Sequence, residues 1–258
     1  MDRIAPARPP RADTAPTPAR DPGFGPDENV PLIGCGKALL DLVVPASARA
    51  VFFDPQYRGV LDHLALGNEG ARQKGRAGLA QMPTPLIAEM IAASARTLAP
   101  SGYLFLWLDK FHLCEGTDDL LATADLRRVD LVTWDKGRIG MGHRSRRRCE
   151  YLLVLQKPPL RAKATWRRHD IPDVWQERVP RKGHPHTKPT GLLTALCEAV
   201  TDPGDLVIDP AAGSFATLRA LAALPGRRFL GADLVDHTGE GRPLAAPGSR
   251  GIDPAPLS

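Results

Sequence analysis

The stretch "DLVIDPAAGSFATL", residues 205–218, joins a short apolar run to an acidic residue, a turn of small residues and a helix-like run. An uninterrupted apolar run of this length predicts a strand that is buried on both faces of a sheet. Small residues such as Gly213 let a ligand approach the backbone, and the helix after the turn presents free amide groups. The segment predicts a strand-turn-helix unit with a nucleotide-like ligand at the turn, and an ordinary turn without a ligand is the alternative.

The same alternation of strand-like and helix-like runs continues on both sides of this segment. Strands are predicted in "VPLIG", "ARAVFF", "GYLFLWL", "RVDLVTW", "EYLLVLQK" and "RRFLGADL". Helices are predicted in "TPLIAEMIAASARTLA", "KPTGLLTALCEAV" and "SFATLRALAAL". Continuous apolar strands that are separated by helices predict an α/β fold with a doubly wound, mostly parallel sheet.

Three of the predicted strands end on an aspartate, namely Asp54, Asp209 and Asp233. Ligands of such sheets bind at the carboxyl ends of the strands. Asp233 follows Asp209 by 24 residues, which is the usual spacing for a carboxylate that binds ribose hydroxyls. The glycine patterns of dinucleotide-binding and phosphate-binding loops are absent from the sequence. A nucleoside-containing cofactor is therefore predicted.

Composition sets the boundaries of the folded part. Residues 1–28 contain seven prolines, and residues 237–258 are rich in glycine and proline, so both ends are predicted to be disordered tails around one domain, residues 29–236. Four widely spaced cysteines predict reduced, mostly packed thiols, and no metal site is expected. Without an apolar run long enough for a membrane helix or a secretory signal, the expected location is the cytoplasm.

Four motifs carry a resemblance to a known family. "DPQY" at 54–57 resembles the Asp-Pro-Pro-Tyr motif of S-adenosylmethionine-dependent DNA amino-methyltransferases, which modify adenine N6 or cytosine N4. "HPHTKP" at 184–189 and "DPAAGSF" at 209–215 resemble two further elements of that family, and the segment 129–157 resembles its Trp-x-Lys, arginine-rich, Glu-x-hydrophobic element. The motif order is that of its β class. This order implies a Rossmann-like methyltransferase fold, circularly permuted, in which "VPLIGCG" supplies the strand expected after "RRFLGADL".

The resemblance implies that residues 54–57 form the catalytic unit. The Asp54 carboxylate and the Pro55 carbonyl can accept the two hydrogens of an exocyclic amino group and so localise its lone pair. An ordinary pKa would keep Asp54 ionised. Tyr57 would stack on a base that is flipped out of the duplex. Gln56 replaces the second proline of the family, which adds an amide that could contact a base edge.

The resemblance also implies a site for S-adenosyl-L-methionine. Asp209, Ala211 and Gly213 are expected on the methionine side, Asp233 at the ribose and Lys188 near the cofactor carboxylate. Ala211 and Phe215 replace a phenylalanine and the last glycine of the family, and Phe215 could cover the adenine from another direction. The expected cofactor-binding set is Asp209, Ala211, Gly213, Ser214, Asp233, Lys188 and His184.

Double-stranded DNA is the expected partner, because residues 135–188 contain fifteen Lys/Arg and five Asp/Glu although the whole chain is only +5. The DNA-binding residues are predicted to be Arg144, Arg146, Arg147 and Arg148. Trp166 and Trp175 are expected to be packing anchors. The short segment 158–183 leaves little room for a recognition domain, so recognition is expected to be short or to come from a loop at 58–81, a second subunit in a homodimer or a partner protein.

Several functions agree with these residues. Site-specific methylation of adenine N6 in DNA is preferred, and cytosine N4 is the next alternative. A methyltransferase for RNA or for a protein amide is a further one, because all three substrates present a planar amino group. The departures at Gln56, Ala211 and Phe215 also allow a DNA-binding homologue that has lost catalysis. An NAD-dependent oxidoreductase is disfavoured by the missing glycine fingerprint.

Overall fold

A computed structural model of the chain describes residues 26–57, 82–140, 145–179 and 187–244. Within these ranges nine strands form one sheet, namely β1 (Pro31–Ile33), β2 (Ala48–Phe53), β3 (Leu98–Leu108), β4 (Arg127–Asp135), β5 (Cys149–Gln156), β6 (Val174–Gln176), β7 (Leu206–Asp209), β8 (Arg228–Asp233) and β9 (Arg242–Pro243). The helices of these ranges are α1 (Gly36–Leu42), α2 (Thr84–Thr97), α3 (Lys110–Glu115), α4 (Asp118–Leu121), α5 (Thr190–Val200) and α6 (Ala216–Leu221).

The strand order is β6-β4-β5-β3-β2-β7-β8-β1-β9. Six of the eight neighbouring pairs are parallel, and the two antiparallel pairs are those that β5 makes with β3 and β4. The prediction of a mostly parallel α/β sheet is therefore confirmed.

The first strand completes the sheet beside the last predicted one. β1 runs parallel to β8, with Pro31 opposite Gly231 and Ile33 opposite Asp233. This pairing is the one expected from a circular permutation of the chain. It also places the segment after β1 beside Asp233, at the carboxyl ends of the strands.

The apolar core lies on both faces of the sheet. One cluster holds Val51 and Phe53 together with side chains of α1 and α2, and the other holds Ala50 and Phe52 together with side chains of α5 and α6. Because successive strand residues point to opposite faces, an uninterrupted apolar run such as "AVFF" supplies both clusters at once.

Helix α2 shows why these helices form. Pro85 lies in its first turn, where a missing N–H costs no hydrogen bond. Its buried residues include Ile87, Met90, Ile91 and Ser94, whose spacing of three and four places them on one face. This face packs against the sheet in the first cluster.

Ordered structure extends past both predicted domain boundaries. At one end, Glu28 receives two hydrogen bonds from the Arg228 guanidinium, at 2.7 and 2.8 Å. At the other, β9 pairs with β1, and the Leu244 N–H donates to the Ile33 carbonyl at 2.9 Å. Backbone pairing with an existing strand thus orders a segment whose composition indicated a tail.

The burial of the cysteines differs from the prediction, whereas the packing of two tryptophans agrees with it. Cys197 is buried, Cys149 is half-buried, and Cys35 and Cys114 are exposed, so the prediction of mostly packed cysteines is wrong. Of the two exposed cysteines, Cys35 immediately precedes α1 and Cys114 lies in α3, and both helices are short. Trp166 and Trp175 pack against the second apolar cluster, as predicted.

In the described part of the chain, every helix is too short or too polar to span a membrane.

Candidate active site

Three aspartates lie at the carboxyl ends of adjacent strands in the sheet. β2 and β7 are parallel neighbours with Val51 opposite Ile208, and β8 follows with Gly231 opposite Asp209. Asp54, Asp209 and Asp233 therefore follow or end three adjacent strands. Asp54 and Asp209 lie at the ends of neighbouring strands, where the sheet type predicts a ligand site.

Backbone hydrogen bonds fix the turn that follows β2. Pro55 is buried, and its carbonyl accepts a hydrogen bond from the Tyr57 N–H at 2.8 Å. The Gln56 carbonyl accepts from the Met82 N–H at 3.0 Å. A carbonyl oxygen has two lone pairs, so the Pro55 oxygen can accept a second hydrogen bond.

The Tyr57 ring is held from two sides. Its hydroxyl donates to the Trp107 carbonyl at 2.8 Å, and its ring centroid lies 4.1 Å from that of His112. Desolvation by burial, together with the charges of Asp54 and Asp109, raises the pKa of the Tyr57 hydroxyl well above its ordinary value, so it stays a neutral donor.

The residues that support Tyr57 were missed in the sequence. Asp109 follows β3 and caps α3, because its Oδ1 accepts from the N–H groups of Phe111 and His112 at 2.9 and 3.1 Å. The same oxygen lies 2.9 Å from the His112 Nδ1 atom. An aspartate directly before a short helix is a capping pattern, and it could have indicated this arrangement.

Lys188 lies between two carboxylates. Its Nζ atom is 2.8 Å from Asp54 Oδ2 and 2.9 Å from Glu150 Oε2. Glu150 also contacts the Lys136 ammonium, at 3.1 Å. The sequence placed Lys188 near the cofactor carboxylate, whereas the structure places its ammonium against Asp54. Lys136 and Glu150 belong to the segment 129–157 that carries part of the family resemblance, but no pattern in the sequence assigns either of them a role in the site.

Burial and pairing set the charges of this group. Burial alone would lower the pKa of Lys188, but Asp54 and Glu150 outweigh it and raise that pKa. Burial likewise works to raise the pKa of Glu150, and Lys188 and Lys136 outweigh it and lower that pKa to about 2. For Asp54, desolvation dominates and raises the pKa despite Lys188. The expectation of an ordinary pKa at Asp54 is therefore wrong, because the strand end is partly desolvated.

Asp209 is the buried member of the acidic edge, with 7% of its surface exposed. Its Oδ2 accepts a hydrogen bond from the Thr217 hydroxyl at 2.6 Å. Desolvation raises the pKa of the Asp209 carboxyl to about 7, although the bond from Thr217 opposes this, and the charges of Asp54 and Asp233 contribute to the rise. Its protonation is thus poised near neutral pH.

The turn after β7 directs backbone groups toward Asp233. Gly213 has a φ of 51°, and its N–H donates to Asp233 Oδ2 at 2.9 Å. Ser214 and Ala211 are half-buried in the same turn. Phe215 has a φ of 57° and is only 1% exposed within the second apolar cluster. The expectation that Phe215 covers an adenine is therefore wrong, because its ring is part of the core.

The acidic edge fits a cationic nucleoside. Carboxylates at Asp209 and Asp233 can accept from ammonium and ribose hydroxyl groups, and the intervening turn is built from small residues. Gly36 comes so close to this turn that a Cβ atom there would overlap the Pro210 carbonyl oxygen and lie 2.8 Å from the carbonyl carbon. The donor and acceptor set is thus suited to S-adenosylmethionine.

The predicted DNA-binding arginines differ in their surroundings. Arg148 donates two hydrogen bonds to the Asp135 carboxylate, at 2.7 and 2.6 Å, and these bonds help lower the pKa of Asp135 to about 2. Arg146 is exposed and donates to the Gly140 carbonyl at 2.8 Å, and Arg147 is half-buried. Arg148 therefore stabilises the β4–β5 hairpin. Two predicted residues, Arg144 and His184, lie outside the described residues, as does the predicted loop 58–81.

The basic hairpin lies at the same edge as Asp54. Tyr151, near the start of β5, is opposite Leu108, which ends β3 next to β2. The Lys110 ammonium at the start of α3 donates to the Ser145 hydroxyl at 3.1 Å. The positive segment thus lies at the same ends of the strands as the three aspartates.

Comparisons with known proteins agree with this site. A family model described as DNA methylase matches residues 86–238, which is more than half of the chain. The Type II methyltransferase M.HhaII of Haemophilus parahaemolyticus is 48% identical over 202 residues, which cover 78% of this chain and 88% of that protein. The DNA adenine methyltransferase YhdJ of Escherichia coli (strain K12) is 42% identical over 65 residues, covering 25% of this chain and 22% of that protein.

Solved structures share the fold at low sequence identity. TTHA0409, a putative DNA modification methylase of Thermus thermophilus complexed with S-adenosyl-L-methionine, has a TM-score of 0.56 at 20% identity, covering 83% of this chain and 99% of that one. The cytosine-N4-specific PvuII DNA methyltransferase has a TM-score of 0.61 at 15% identity, covering 83% and 86%. The family match, the 48% identical relative and the shared fold confirm the resemblance, and the chain belongs to the S-adenosylmethionine-dependent DNA amino-methyltransferases.

Proposed function

We propose that this DNA amino-methyltransferase methylates adenine N6 within a specific sequence of double-stranded DNA. The observation that carries the proposal is the placement of Asp54 and Asp209 at the carboxyl ends of neighbouring strands, which brings the proposed acceptor for the amino group beside the proposed site of the methyl donor. The preference for adenine is supported by the local identity to a relative named as a DNA adenine methyltransferase.

The chemistry requires acceptors more than a strong base. An exocyclic amino nitrogen is a poor nucleophile because its lone pair is delocalised into the ring. Asp54 and the Pro55 carbonyl would accept its two hydrogens, which localises the lone pair and stabilises the developing positive charge. When bound, S-adenosylmethionine supplies an electrophilic methyl group. One amino hydrogen is replaced by this methyl and leaves as a proton, so Asp54 has to be ionised but need not be a strong base.

Tyr57 would hold the base once it has left the duplex. A target amino group is otherwise paired inside the helix, so the base has to be extruded. The Tyr57 and His112 rings lie 4.1 Å apart between centroids, with their planes tilted by 46°. We assign stacking on the extruded base to the side of the Tyr57 ring that points away from His112, with the hydroxyl bond to Trp107 fixing the ring plane.

The cofactor would be held along the acidic edge. We assign Asp209, Ala211, Gly213 and Ser214 to the methionine side and Asp233 to the ribose hydroxyls. The protonation of Asp209 then couples to binding, because a cationic ligand nearby favours the ionised carboxylate.

Cofactor affinity is expected to rise with pH through the raised pKa of Asp209, about 7. Below that value the free protein holds a neutral carboxyl, which must lose its proton to pair with the cationic ligand. The affinity at pH 8 should exceed that at pH 6 about tenfold. Isothermal titration in buffers of different ionisation enthalpy measures both the affinity and the released proton. Asp209→Asn should flatten the profile; equal wild-type affinity at pH 6 and pH 8, with no proton released, would contradict the assignment.

DNA would approach over the β4–β5 hairpin. We assign phosphate contacts to Arg146 and Arg147, with Arg144 as a further predicted contact, and a supporting role to Arg148, which is engaged by Asp135. The segment between β5 and α5 is short, so we propose that a second subunit of a homodimer completes the recognition of the target sequence.

The proposed activity is tested by incubating unmodified bacterial DNA with labelled S-adenosylmethionine and analysing the nucleosides by mass spectrometry. N6-methyladenine is the expected product. N4-methylcytosine would replace the adenine assignment while keeping the mechanism. Bound cofactor without either product would favour RNA or a protein amide as the substrate, and absence of cofactor binding by the folded protein would favour a DNA-binding homologue without catalysis.

A further inference from the structure

Four groups of alternating charge form a chain that ends at the proposed acceptor. The Lys136 ammonium contacts Glu150 at 3.1 Å, Glu150 contacts Lys188 at 2.9 Å, and Lys188 contacts Asp54 at 2.8 Å. Lys136 follows β4 and Glu150 lies in β5, so the first two groups belong to the hairpin that carries the basic segment. Lys188 lies just before α5, and Asp54 follows β2.

This chain differs from a solvated surface pair. The Lys188 side chain is 15% exposed, and its Nζ atom lies 4.7 Å from the centroid of the Trp107 ring. A buried ammonium is costly unless it is paired, and removal of one partner leaves an uncompensated charge. Glu150 therefore anchors Lys188 against Asp54 rather than merely lying near it.

The surroundings of Asp54 otherwise oppose its negative charge. Glu150 faces it from β5, Asp209 faces it from β7, and Tyr57 lies in its own turn with a neutral hydroxyl. Desolvation and the Glu150 carboxylate raise the pKa of Asp54, and Lys188 lowers it. Lys188 is the cation among these groups, so the ionised state of Asp54 depends on it.

The contact also selects one oxygen of the carboxylate. The ammonium contacts Oδ2 of Asp54. Oδ1 is then the oxygen assigned to the amino hydrogen of the base. A carboxylate that is fixed at one oxygen loses rotational freedom, which favours a defined acceptor geometry.

We propose that Lys188, anchored by Glu150, is a positioning residue that keeps the Asp54 carboxylate charged and oriented toward the amino group of the target base. The proposal rests on the proposed function. It assigns to Lys188 a role in the transfer step and not in cofactor binding. Glu150 then acts indirectly, by holding Lys188 in place.

The test compares the pH dependence of single-turnover methyl transfer in the wild type, Lys188→Met and Glu150→Gln. In Lys188→Met the acid limb should move about one pH unit or more toward higher pH, because the charge that favours ionised Asp54 is gone. In Glu150→Gln it should move toward lower pH, because the amide oxygen can still accept a hydrogen bond from Lys188 and hold it in place while a like charge is removed. The affinity for S-adenosylmethionine should change less than about threefold in both variants.

Opposite shifts distinguish electrostatic positioning from structural damage, which would lower the rate at every pH without moving the limb. Lys188→Arg should keep the limb near its wild-type position. Arg168→Met is a matched control, because Arg168 pairs with Asp170 and Glu198 at the far end of α5. Limbs that stay in place, or that move in the same direction in both variants, would overturn the proposal.

A second measurement is independent of catalysis. Carbon-13 NMR of the Asp54 carboxyl, assigned with Asp54→Asn, should give a higher titration midpoint in Lys188→Met than in the wild type. If Lys188→Met does not fold, the lower midpoint expected in Glu150→Gln decides the question, and an unchanged midpoint contradicts it. A wild type that modifies no DNA but shows these midpoints would refute the proposed function and leave the charge coupling intact.

Discussion

Replacement of Asp54 by alanine is expected to lower the single-turnover rate of methyl transfer at least about 10³-fold. The change removes the charged acceptor that localises the lone pair of the amino nitrogen, and a methyl side chain offers no substitute. The affinity for S-adenosylmethionine should stay within about threefold of the wild type, because the cofactor groups are assigned to β7 and β8. Rapid-quench transfer of labelled methyl to DNA and isothermal titration measure the two quantities.

Two controls make the Asp54 result interpretable. Asp118→Ala removes an exposed carboxylate that pairs with Arg128 away from the cleft, and it should leave the rate unchanged. Asp54→Asn keeps one acceptor oxygen and should retain more activity than Asp54→Ala. Transfer by Asp54→Ala at more than a tenth of the wild-type rate would show that another group accepts the amino hydrogens.

The fold could be predicted because local and global preferences agree. Apolar runs such as those of β2 and β7 are buried on both faces, and only a sheet covered by helices on both sides accommodates them. The placement of β1 beside β8 came from motif order. Propensity alone would not have paired a three-residue strand with one almost 200 residues away.

The contacts that the sequence did not reveal depend on three-dimensional proximity that no local pattern encodes. Lys188 and Glu150 are 38 positions apart, and their pairing follows from the register of β5 against β3 and the approach of the α5 segment. The direction of the Phe215 ring follows from a left-handed backbone conformation that is uncommon outside glycine. Residues 242–243 are ordered because β1 offers them an unpaired edge.

The residues that support Tyr57 were only partly predictable from the sequence. The capping pattern at Asp109 is visible in the sequence, but the contact of His112 with Tyr57 requires that β2 and β3 lie side by side. A site residue at a strand end is therefore easier to predict than the residue that holds it in place.

Gly36→Ala should cause the largest loss of stability among the single changes considered, together with a loss of cofactor binding of at least about 30-fold. The added Cβ atom would overlap the Pro210 carbonyl oxygen, and a backbone atom cannot move aside as a flexible side chain can. Either α1 or the turn after Asp209 has to shift. We expect a destabilisation of about 3 kcal/mol, or a fall in Tm of roughly 6–12 °C.

This effect would run against helix propensity. Gly36 begins α1, where alanine is ordinarily preferred to glycine by up to about 1 kcal/mol. Gly116→Ala is the matched control, because its Cβ would meet nothing within 4 Å and only its φ of 95° opposes a side chain. It should cost about 1–3 kcal/mol of strain and leave cofactor affinity unchanged. Thermal unfolding and isothermal titration of both variants separate contact from strain. Wild-type Tm and cofactor affinity in Gly36→Ala would mean that α1 and the Asp209 turn are farther apart than the structure places them.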